Sequence, residues 1–357
     1  MSPFSPCFPH HPPIYDIQKS YRENLETGPV FPNHPPARPL PAKSQWISFL
    51  GQKIISPFGV AAGPLLNAQW VSLAASLGFD VLVYKTIRSH AHLSSPFPNV
   101  LYVDLPKRFD TIPQVVTTTS LPPKCMEDLS IAYSFGTPSS SPAYLLEDIS
   151  RALACIQEGQ LLIVSIMGTE REGCSLLQDF VDTAVLARDA GAKVIECNFT
   201  KNMLYASPEQ VLEIGLALVK AVHPIPLIMK VRAFSFPKQM RDVCIAAAKA
   251  GIRAISGING LPMNIKNQQG RPAFGDRMRG EVCGGSMRTV ALHFVDEVHT
   301  LINKEKLDLE LIGVGGITKP EHFFDFLERG ARVAMTARGW MWDPYLALRA
   351  QMNKIFC

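Results

Sequence analysis

Short apolar runs alternate with longer amphipathic stretches from residue 47 to the end of the chain. The runs have strand length, and in the longer stretches apolar residues recur every three or four positions, as they do in helices. Strands are predicted at 58–62, 81–84, 161–166, 193–197, 226–231, 253–256, 311–314 and 333–336. Helices are predicted near 68–77, 143–157, 175–190, 208–222, 236–249, 289–302, 319–329 and 342–354. This alternation indicates a parallel α/β sheet.

Eight strands that alternate with eight helices fit a closed (β/α)8 TIM barrel better than an open doubly wound sheet. Two stretches, 87–141 and 260–288, interrupt the second and sixth strand–helix units. Both are too long for ordinary loops between a strand and a helix. We expect them to project over the catalytic face of the barrel as lids or substrate walls.

The first 45 residues differ from the rest because they are rich in proline and show little periodicity. We interpret residues 1–45 as an extended arm that wraps on the body or is partly disordered, and residues 46–357 as the barrel domain.

Composition narrows the functional classes. The 357-residue chain has a formal net charge of +4, which is too small to indicate a nucleic-acid partner. Its eight cysteines have no CxxC spacing, which favours reduced thiols in a cytoplasmic protein over disulfides or a zinc site. No apolar run is long enough to span a bilayer, and no signal-peptide core is present. His90 and His92 could both bind a metal, but no third ligand with a suitable spacing is near them in the sequence. We therefore expect a soluble protein without a metal.

Small residues end the last two predicted strands. Gly315 and Gly316 follow the seventh strand, and Thr336 and Ala337 end the eighth. In barrels of this class, a phosphate is commonly held after strands seven and eight, where backbone N–H groups at helix starts converge. The pair of elements predicts a phosphorylated ligand.

Polar side chains stand at other strand ends, namely Lys85, Asn198 and Lys230. A lysine at the end of an apolar strand either snorkels to the surface or meets an anion, and two on one rim favour a functional role. Further small residues that could border a flat ring are Ala61, Ala62, Gly63, Gly284 and Gly285. A phosphate at one end and a planar group across the barrel mouth suit FMN. No GxGxxG motif is present, which disfavours a Rossmann dinucleotide site.

The ordered set of these motifs resembles the dihydroorotate dehydrogenase family, most closely its soluble class 1 enzymes. The motifs are SPFGVAAGP at 56–64, YKT at 84–86, SFGTPS at 134–139, ECNFT at 196–200, Lys230, GING at 257–260, GRPAFG at 270–275, CGGSMR at 283–288, GVGGI at 313–317 and MTA at 335–337. The resemblance implies an FMN-containing barrel in which the flavin accepts a hydride from C6 of dihydroorotate while a base removes the C5 proton. Thr86 belongs to the implied flavin site.

The resemblance also assigns roles to individual residues. Lys85 and Lys230 match lysines that touch the flavin, and a lysine there would stabilise negative charge on the reduced ring. The glycine pairs 284–285 and 315–316, with Thr336 and Ala337, match the phosphate grip. The residues implied to bind the substrate are Lys85, Phe135, Gly136, Thr137, Asn198, Asn202 and Asn259.

Two departures from the family pattern fall on substrate chemistry. The loop after the fourth strand usually carries a cysteine or serine base, whereas here Lys201 takes that position and Thr200 precedes it. Tyr133 stands where the family usually has an asparagine. Lys201 could be the base if its pKa were lowered, or Thr200 could act as an activated hydroxyl.

Other functions stay open at this point. The chain could be an FMN oxidoreductase for another cyclic or anionic substrate, or a protein that binds flavin without catalysis. The class 2 relatives are disfavoured, because the proline-rich start does not predict amphipathic membrane-binding helices. A homodimer is implied by the family alone, and the electron acceptor is not defined.

Overall fold

The computed structural model describes residues 13–31, 34–38, 40–106, 111–200 and 207–355. Lys201 and Asn202 therefore lie outside the described residues. The strands are β1 (Ile47–Phe49), β2 (Gln52–Ile54), β3 (Phe58–Val60), β4 (Val81–Ile87), β5 (Val100–Asp104), β6 (Val115–Thr118), β7 (Ser130–Tyr133), β8 (Leu161–Ile166), β9 (Ile195–Asn198), β10 (Leu227–Lys230), β11 (Ala254–Gly257), β12 (Leu261–Lys266), β13 (Arg279–Gly284), β14 (Glu310–Val314) and β15 (Val333–Thr336).

The helices cover the outside of the structure. They are α1 (Tyr21–Thr27), α2 (Ala68–Ser76), α3 (Pro142–Ala154), α4 (Leu176–Asp189), α5 (Pro208–Val222), α6 (Pro237–Ala250), α7 (Arg288–Glu305), α8 (Glu321–Glu328), α9 (Arg338–Trp342) and α10 (Leu346–Ile355). The last predicted helix, 342–354, corresponds to α10, and the short helix α9 before it was not predicted. No helix in the described part of the chain is both long and apolar enough to cross a membrane.

Eight parallel strands close into a barrel in the order β3-β4-β8-β9-β10-β11-β14-β15, and β15 pairs with β3. Each of the eight predicted strands is present, and the (β/α)8 fold is confirmed. The strands β4, β8, β9, β10, β11 and β15 are buried along their whole length. Strands that are covered on both faces read as continuous apolar runs, which explains why they were visible in the sequence.

Local sequence fixes the helix ends. Ser175 accepts a hydrogen bond from the backbone N–H of Gln178 at the start of α4. Pro208 opens α5, where a missing N–H costs nothing. Gly251 ends α6 with φ of 87°, a left-handed conformation that glycine adopts without strain. Each helix is thereby directed back to the next barrel strand.

The two long insertions fold together as a second, smaller barrel. The first insertion supplies β5, β6 and β7, the second supplies β12 and β13, and the five close in the order β12-β13-β7-β5-β6. The closing pair, β6 with β12, is parallel and joins Val115 to Asn264. The sequence analysis expected walls over the catalytic face but did not predict these strands.

The start of the described chain packs on the body of the protein. We call residues 13–30 the amino-terminal segment; it contains helix α1 and two aromatic residues, Tyr15 and Tyr21, that are buried in the main core. Ser20 caps α1 in a reciprocal arrangement with Glu23. A helix signal was therefore present in the sequence, because a serine followed three residues later by glutamate is a capping box.

Candidate active site

A cavity of about 510 Å³ opens at the carboxyl ends of the barrel strands, under the small barrel. Its volume is in the range of sites that hold a cofactor together with a small ligand. Most of the residues singled out in the sequence line it. They are Ala61, Ala62, Gly63, Lys85, Thr86, Phe135, Gly136, Thr137, Asn198, Thr200, Lys230, Asn259, Gly284, Gly315, Gly316, Thr336 and Ala337.

A chain of buried polar groups crosses four neighbouring barrel strands, and we call it the floor network. The Lys230 ammonium lies 3.4 Å from Glu196 Oε1, and both side chains are at most 3% exposed. The same carboxylate oxygen accepts a hydrogen bond of 2.9 Å from Ser165 Oγ. Ser165 lies 3.0 Å from Thr86 Oγ1 and, having donated its own proton, accepts one from Thr86. The charge of Lys230 is thus balanced within the protein.

Lys85 lies two residues before the end of β4 and is 8% exposed. Its Nζ donates to the carbonyl oxygen of Pro138 at 3.4 Å. The same Nζ lies 5.4 Å from the centroid of the Tyr21 ring. The ammonium is therefore held between the first insertion and the amino-terminal segment, at the wall of the cavity.

The backbone after β14 is shaped for close approach to a ligand. Gly315 and Gly316 have φ of 130° and 73°, and a Cβ on Gly316 would lie 2.4 Å from Cβ of Arg288. Thr318 is buried, lines the cavity, and its Oγ1 has no hydrogen-bond partner among the described residues. A buried hydroxyl without a hydrogen-bond partner lowers stability unless a ligand forms that bond. The end of the cavity after β14 therefore fits a phosphate.

Gly285 is the predicted grip residue that the structure places outside the cavity lining. Its N–H donates to the carbonyl oxygen of Leu129 at 2.7 Å. A Cβ there would meet the Glu127 carbonyl oxygen at 2.0 Å. Its small size is explained by contact with the first insertion.

The predicted substrate-binding amides surround Thr200. Asn198 Oδ1 accepts hydrogen bonds from the Thr200 N–H at 3.1 Å and from its Oγ1 at 2.6 Å. Asn259 Nδ2 donates to Thr200 Oγ1 at 3.4 Å. The Thr200 hydroxyl therefore donates its proton in a hydrogen bond to a neutral amide oxygen. Such an oxygen is too weakly basic to remove the proton and activate the hydroxyl.

Arg338 is a site residue that the sequence analysis missed. It is 6% exposed, lines the cavity, and its guanidinium lies 4.8 Å and 5.5 Å from the ring centroids of Tyr133 and Phe135. Its Nη1 contacts Met341 Sδ at 3.1 Å, and no acidic side chain of the described residues pairs with it. Its position directly after Ala337, at the carboxyl end of β15, could have identified it in the sequence as a residue of the site.

A second missed residue, Arg232, joins three parts of the site. Its Nη1 donates to the Gly260 carbonyl at 2.9 Å and to Glu281 Oε2 at 2.7 Å, while Nη2 contacts Glu281 Oε1. Its Nε donates to the Thr200 carbonyl oxygen at 3.3 Å. The forked pair ties β10 to the small barrel. The position two residues after Lys230 was its only signal in the sequence.

The cavity is electropositive. Among the described residues that line it, five are basic and Glu281 is the acidic one. The basic residues are Lys85, Lys230, Arg232, Arg279 and Arg338. Such a lining favours ligands with negative charge.

Neither cysteine near the site has the character of a nucleophile. Burial raises the pKa of Cys197, which is fully buried in β9. Burial also raises the pKa of Cys283 to about 11, although nearby Arg338 acts in the opposite direction. Both thiols therefore stay neutral near pH 7, which argues against a nucleophilic role for either.

Comparison with known proteins decides the family. A protein of Dictyostelium discoideum named dihydroorotate dehydrogenase is 44% identical in an alignment that covers 97% of this chain and 98% of the relative. The chain belongs to the dihydroorotate dehydrogenase family. The predicted membership is thereby confirmed. No family model matches the chain.

More distant relatives agree with this family. The dihydroorotate dehydrogenase A (fumarate) of Limosilactobacillus reuteri is 26% identical across 51% of the chain and 58% of its own length. The NAD-dependent dihydropyrimidine dehydrogenase subunit PreA of Escherichia coli is 28% identical across 84% of the chain and 69% of its own length.

Enzymes of the dihydroorotate dehydrogenase family are FMN-dependent oxidoreductases that act on CH–CH groups. The residues present here fit FMN on physical grounds. The Thr318 hydroxyl and the glycines after β14 suit its phosphate, and the electropositive lining suits its charge. The individual residue contacts to flavin and substrate stay predictions.

Proposed function

We propose that this protein oxidises dihydroorotate to orotate with FMN, in pyrimidine biosynthesis. The observation that supports it best is the convergence of Lys85, Lys230, Asn198 and Asn259 on one cavity, next to a backbone suited to phosphate. Full-length similarity to the Dictyostelium discoideum enzyme agrees with this assignment.

Each side chain then has a defined task. FMN supplies the acceptor for the hydride that leaves C6 of dihydroorotate. Lys230, fixed by Glu196, provides positive charge beside the ring, and Lys85 provides it at the cavity wall. The amides of Asn198 and Asn259 orient the substrate ring and its carboxylate by hydrogen bonds. The small barrel covers part of the cavity and would limit the access of water to the reacting atoms.

We propose Lys201 as the base that removes the C5 proton. The Thr200 hydroxyl already donates to the Asn198 amide oxygen, and among the described residues no titratable group is bonded to that hydroxyl. A lysine acts as a base only in its neutral form. Neighbouring cations can lower the pKa of a lysine toward neutrality, and this is the condition under which Lys201 would act as the base.

The test is an anaerobic absorption spectrum of the flavin before and after dihydroorotate is added. We expect the flavin band to bleach. Lys201→Ala should slow bleaching by a factor of ~10²–10⁴, the usual worth of a general base, and Thr200→Ala by less than ~10. The exposed residue Lys193 gives a matched control, Lys193→Ala. Unchanged bleaching in Lys201→Ala would exclude Lys201, and a large loss in Thr200→Ala would assign the base to Thr200.

A second candidate is an FMN oxidoreductase that acts on another cyclic substrate. The departures at Lys201 and Tyr133 favour it, and Tyr133 lines the cavity. The relative named NAD-dependent dihydropyrimidine dehydrogenase subunit PreA suggests a dihydropyrimidine as that substrate. A spectrum that responds to dihydrouracil and not to dihydroorotate would establish this candidate. A flavin that responds to neither would indicate binding without this catalysis.

For its location, partners and oligomeric state, we propose that the enzyme is cytoplasmic, acts on a small molecule, binds no nucleic acid and forms a homodimer. The modest net charge and the absence of a membrane-spanning helix in the described residues support the first parts. Light scattering of the purified protein tests the dimer, because a mass near 39.3 kDa would show a monomer.

A further inference from the structure

The amino-terminal segment is bonded to the body near its start and closed on itself by a hydrogen bond between its two ends. The Ile14 N–H donates to the Met341 carbonyl at 2.8 Å, and the Val30 N–H donates back to the Ile14 carbonyl at 3.2 Å. Inside the segment, buried Asn24 closes the turn: its Nδ2 donates to the Asp16 carbonyl at 2.9 Å and its Oδ1 accepts from the Asp16 N–H at 2.9 Å. The segment is therefore a fixed part of the fold.

The segment is also fastened to the first insertion. The Tyr21 N–H donates to Oδ1 of buried Asn99 at 3.1 Å. Asn99 in turn donates to the Ser134 carbonyl at 3.1 Å, next to Phe135. The Phe135 ring packs edge-on against Tyr15 and Tyr21, with centroid distances of 6.1 Å and 5.9 Å.

These contacts bring the segment into the cavity. Tyr15 and Tyr21 both line it, although they precede the first barrel strand by more than thirty residues. Tyr21 is 7% exposed, and its ring face meets the Lys85 ammonium at 5.4 Å. An ammonium over a ring face is attracted by the negative charge of the π system, and the attraction is larger where water is excluded.

We infer that Tyr21 is a positioning residue, whose ring holds the Lys85 ammonium at the place where the flavin and substrate need its charge. The amino-terminal segment is then a working wall of the active site. This inference rests on the proposed function for Lys85 but concerns a part of the chain outside the barrel. Helix α1 and Asn99 fix the ring, and the ring fixes the ammonium.

The test compares Tyr21→Leu with Tyr21→Phe in the FMN-loaded protein. Phenylalanine keeps the ring face and leucine removes it. We expect Tyr21→Leu to slow flavin reduction by dihydroorotate by a factor of ~10–100, a size typical of a misplaced group, and Tyr21→Phe to stay within about threefold of the wild type. Arg22→Ala, on the exposed side of α1, serves as a control for disturbance of the helix.

Two further measurements separate positioning from a general loss of structure. In the Lys85→Met background, Tyr21→Leu should have no further effect, because the ring then has no ammonium to hold. The midpoint potential of the bound flavin, measured without dihydroorotate, should become more negative in Tyr21→Leu, because positive charge near the ring stabilises the reduced form.

The outcomes distinguish the two levels of the proposal. If the wild type does not reduce its flavin with dihydroorotate but the potential still falls in Tyr21→Leu, the substrate assignment fails and the role of Tyr21 stands. Equal losses in Tyr21→Leu and Tyr21→Phe, or effects that add to those of Lys85→Met, would overturn the role of Tyr21.

Discussion

Two buried cations in the same cavity are held in opposite ways. Lys230, in the floor network, has its countercharge within 3.4 Å in Glu196. Arg338, under the small barrel, lies against two aromatic rings and pairs with no acidic side chain of the described residues. The difference separates a cation whose countercharge lies in the protein from a cation without an acidic partner among the described residues. The floor network contains one cation and its countercharge, whereas we expect a bound anion to supply the countercharge of Arg338.

We expect the largest effect, a loss of stability, when the buried ion pair of Lys230 and Glu196 is broken. Lys230→Met leaves the Glu196 carboxylate buried without its cation, which should lower the free energy of unfolding by ~3–5 kcal/mol. Urea denaturation, with the flavin content determined in parallel, measures this loss. The double variant Glu196→Leu with Lys230→Met should recover most of it, because both charges are gone. The exposed control Lys193→Met should change little. A minor loss in Lys230→Met alone would remove the distinction between the two cations.

The backbone at the phosphate end is expected to show the next largest effect. In Gly316→Ala the new Cβ meets Arg288 at 2.4 Å and φ is 73°, so the loop must move. FMN affinity should fall by a factor of ~100 or more, equivalent to ~3 kcal/mol of misplaced backbone. Gly275→Ala is the matched control, because its φ is 72° and its Cβ would meet nothing within 4 Å. Equal affinity in the two variants would contradict a close approach at Gly316.

Arg338→Met tests the other side of the comparison. Loss of a charged hydrogen bond to an oxyanion should weaken FMN binding by a factor of ~10–100. Riboflavin, which lacks the phosphate, should bind almost equally to both proteins if that oxyanion is the cofactor's. Stability without FMN should not fall, since no buried carboxylate loses its partner. Weaker dihydroorotate binding with unchanged FMN binding would assign Arg338 to the substrate instead.

The smallest effect concerns Cys283, which neighbours Arg338. With a pKa of about 11, only about one thiol in a thousand is ionised at pH 8. Iodoacetamide should therefore label the exposed Cys155 first, and Cys283 labelling should rise about tenfold for each pH unit up to 11. Mass spectrometry of peptides gives both rates. Activity of Cys283→Ala should stay within about threefold of the wild type; rapid labelling at pH 8 would indicate a functional thiol instead.

The barrel could be predicted from the sequence because its strands are buried on both faces and stand out as apolar runs. Its site followed, because residues such as Lys85 and Lys230 lie near or at the carboxyl ends of those strands. The small barrel could not be predicted in the same way. Its strand β12 is only half buried, begins Leu-Pro, and pairs on one edge with β6 from the other insertion. Local periodicity carries no information on such distant pairing.

The missed site residues have a related cause. Tyr21 lies on a helix before the barrel and Arg338 at the start of a helix after its last strand, so neither ends a strand in the sequence pattern. Glu196 had a visible signal, because a carboxylate in an otherwise apolar strand requires a partner. That partner, Lys230, became evident once β9 and β10 were seen to be neighbours.

The shared sheet of the small barrel also bears on how the molecule is made. Strand β6 must wait for β12, about 150 residues later in the chain, before its edge is paired. During synthesis the first insertion therefore leaves the ribosome with an unpaired sheet edge. The small barrel against which the amino-terminal segment packs is incomplete at that stage. Because such non-local contacts form late, we expect the cavity to become competent for FMN only in the last stage of folding, after the large barrel has closed.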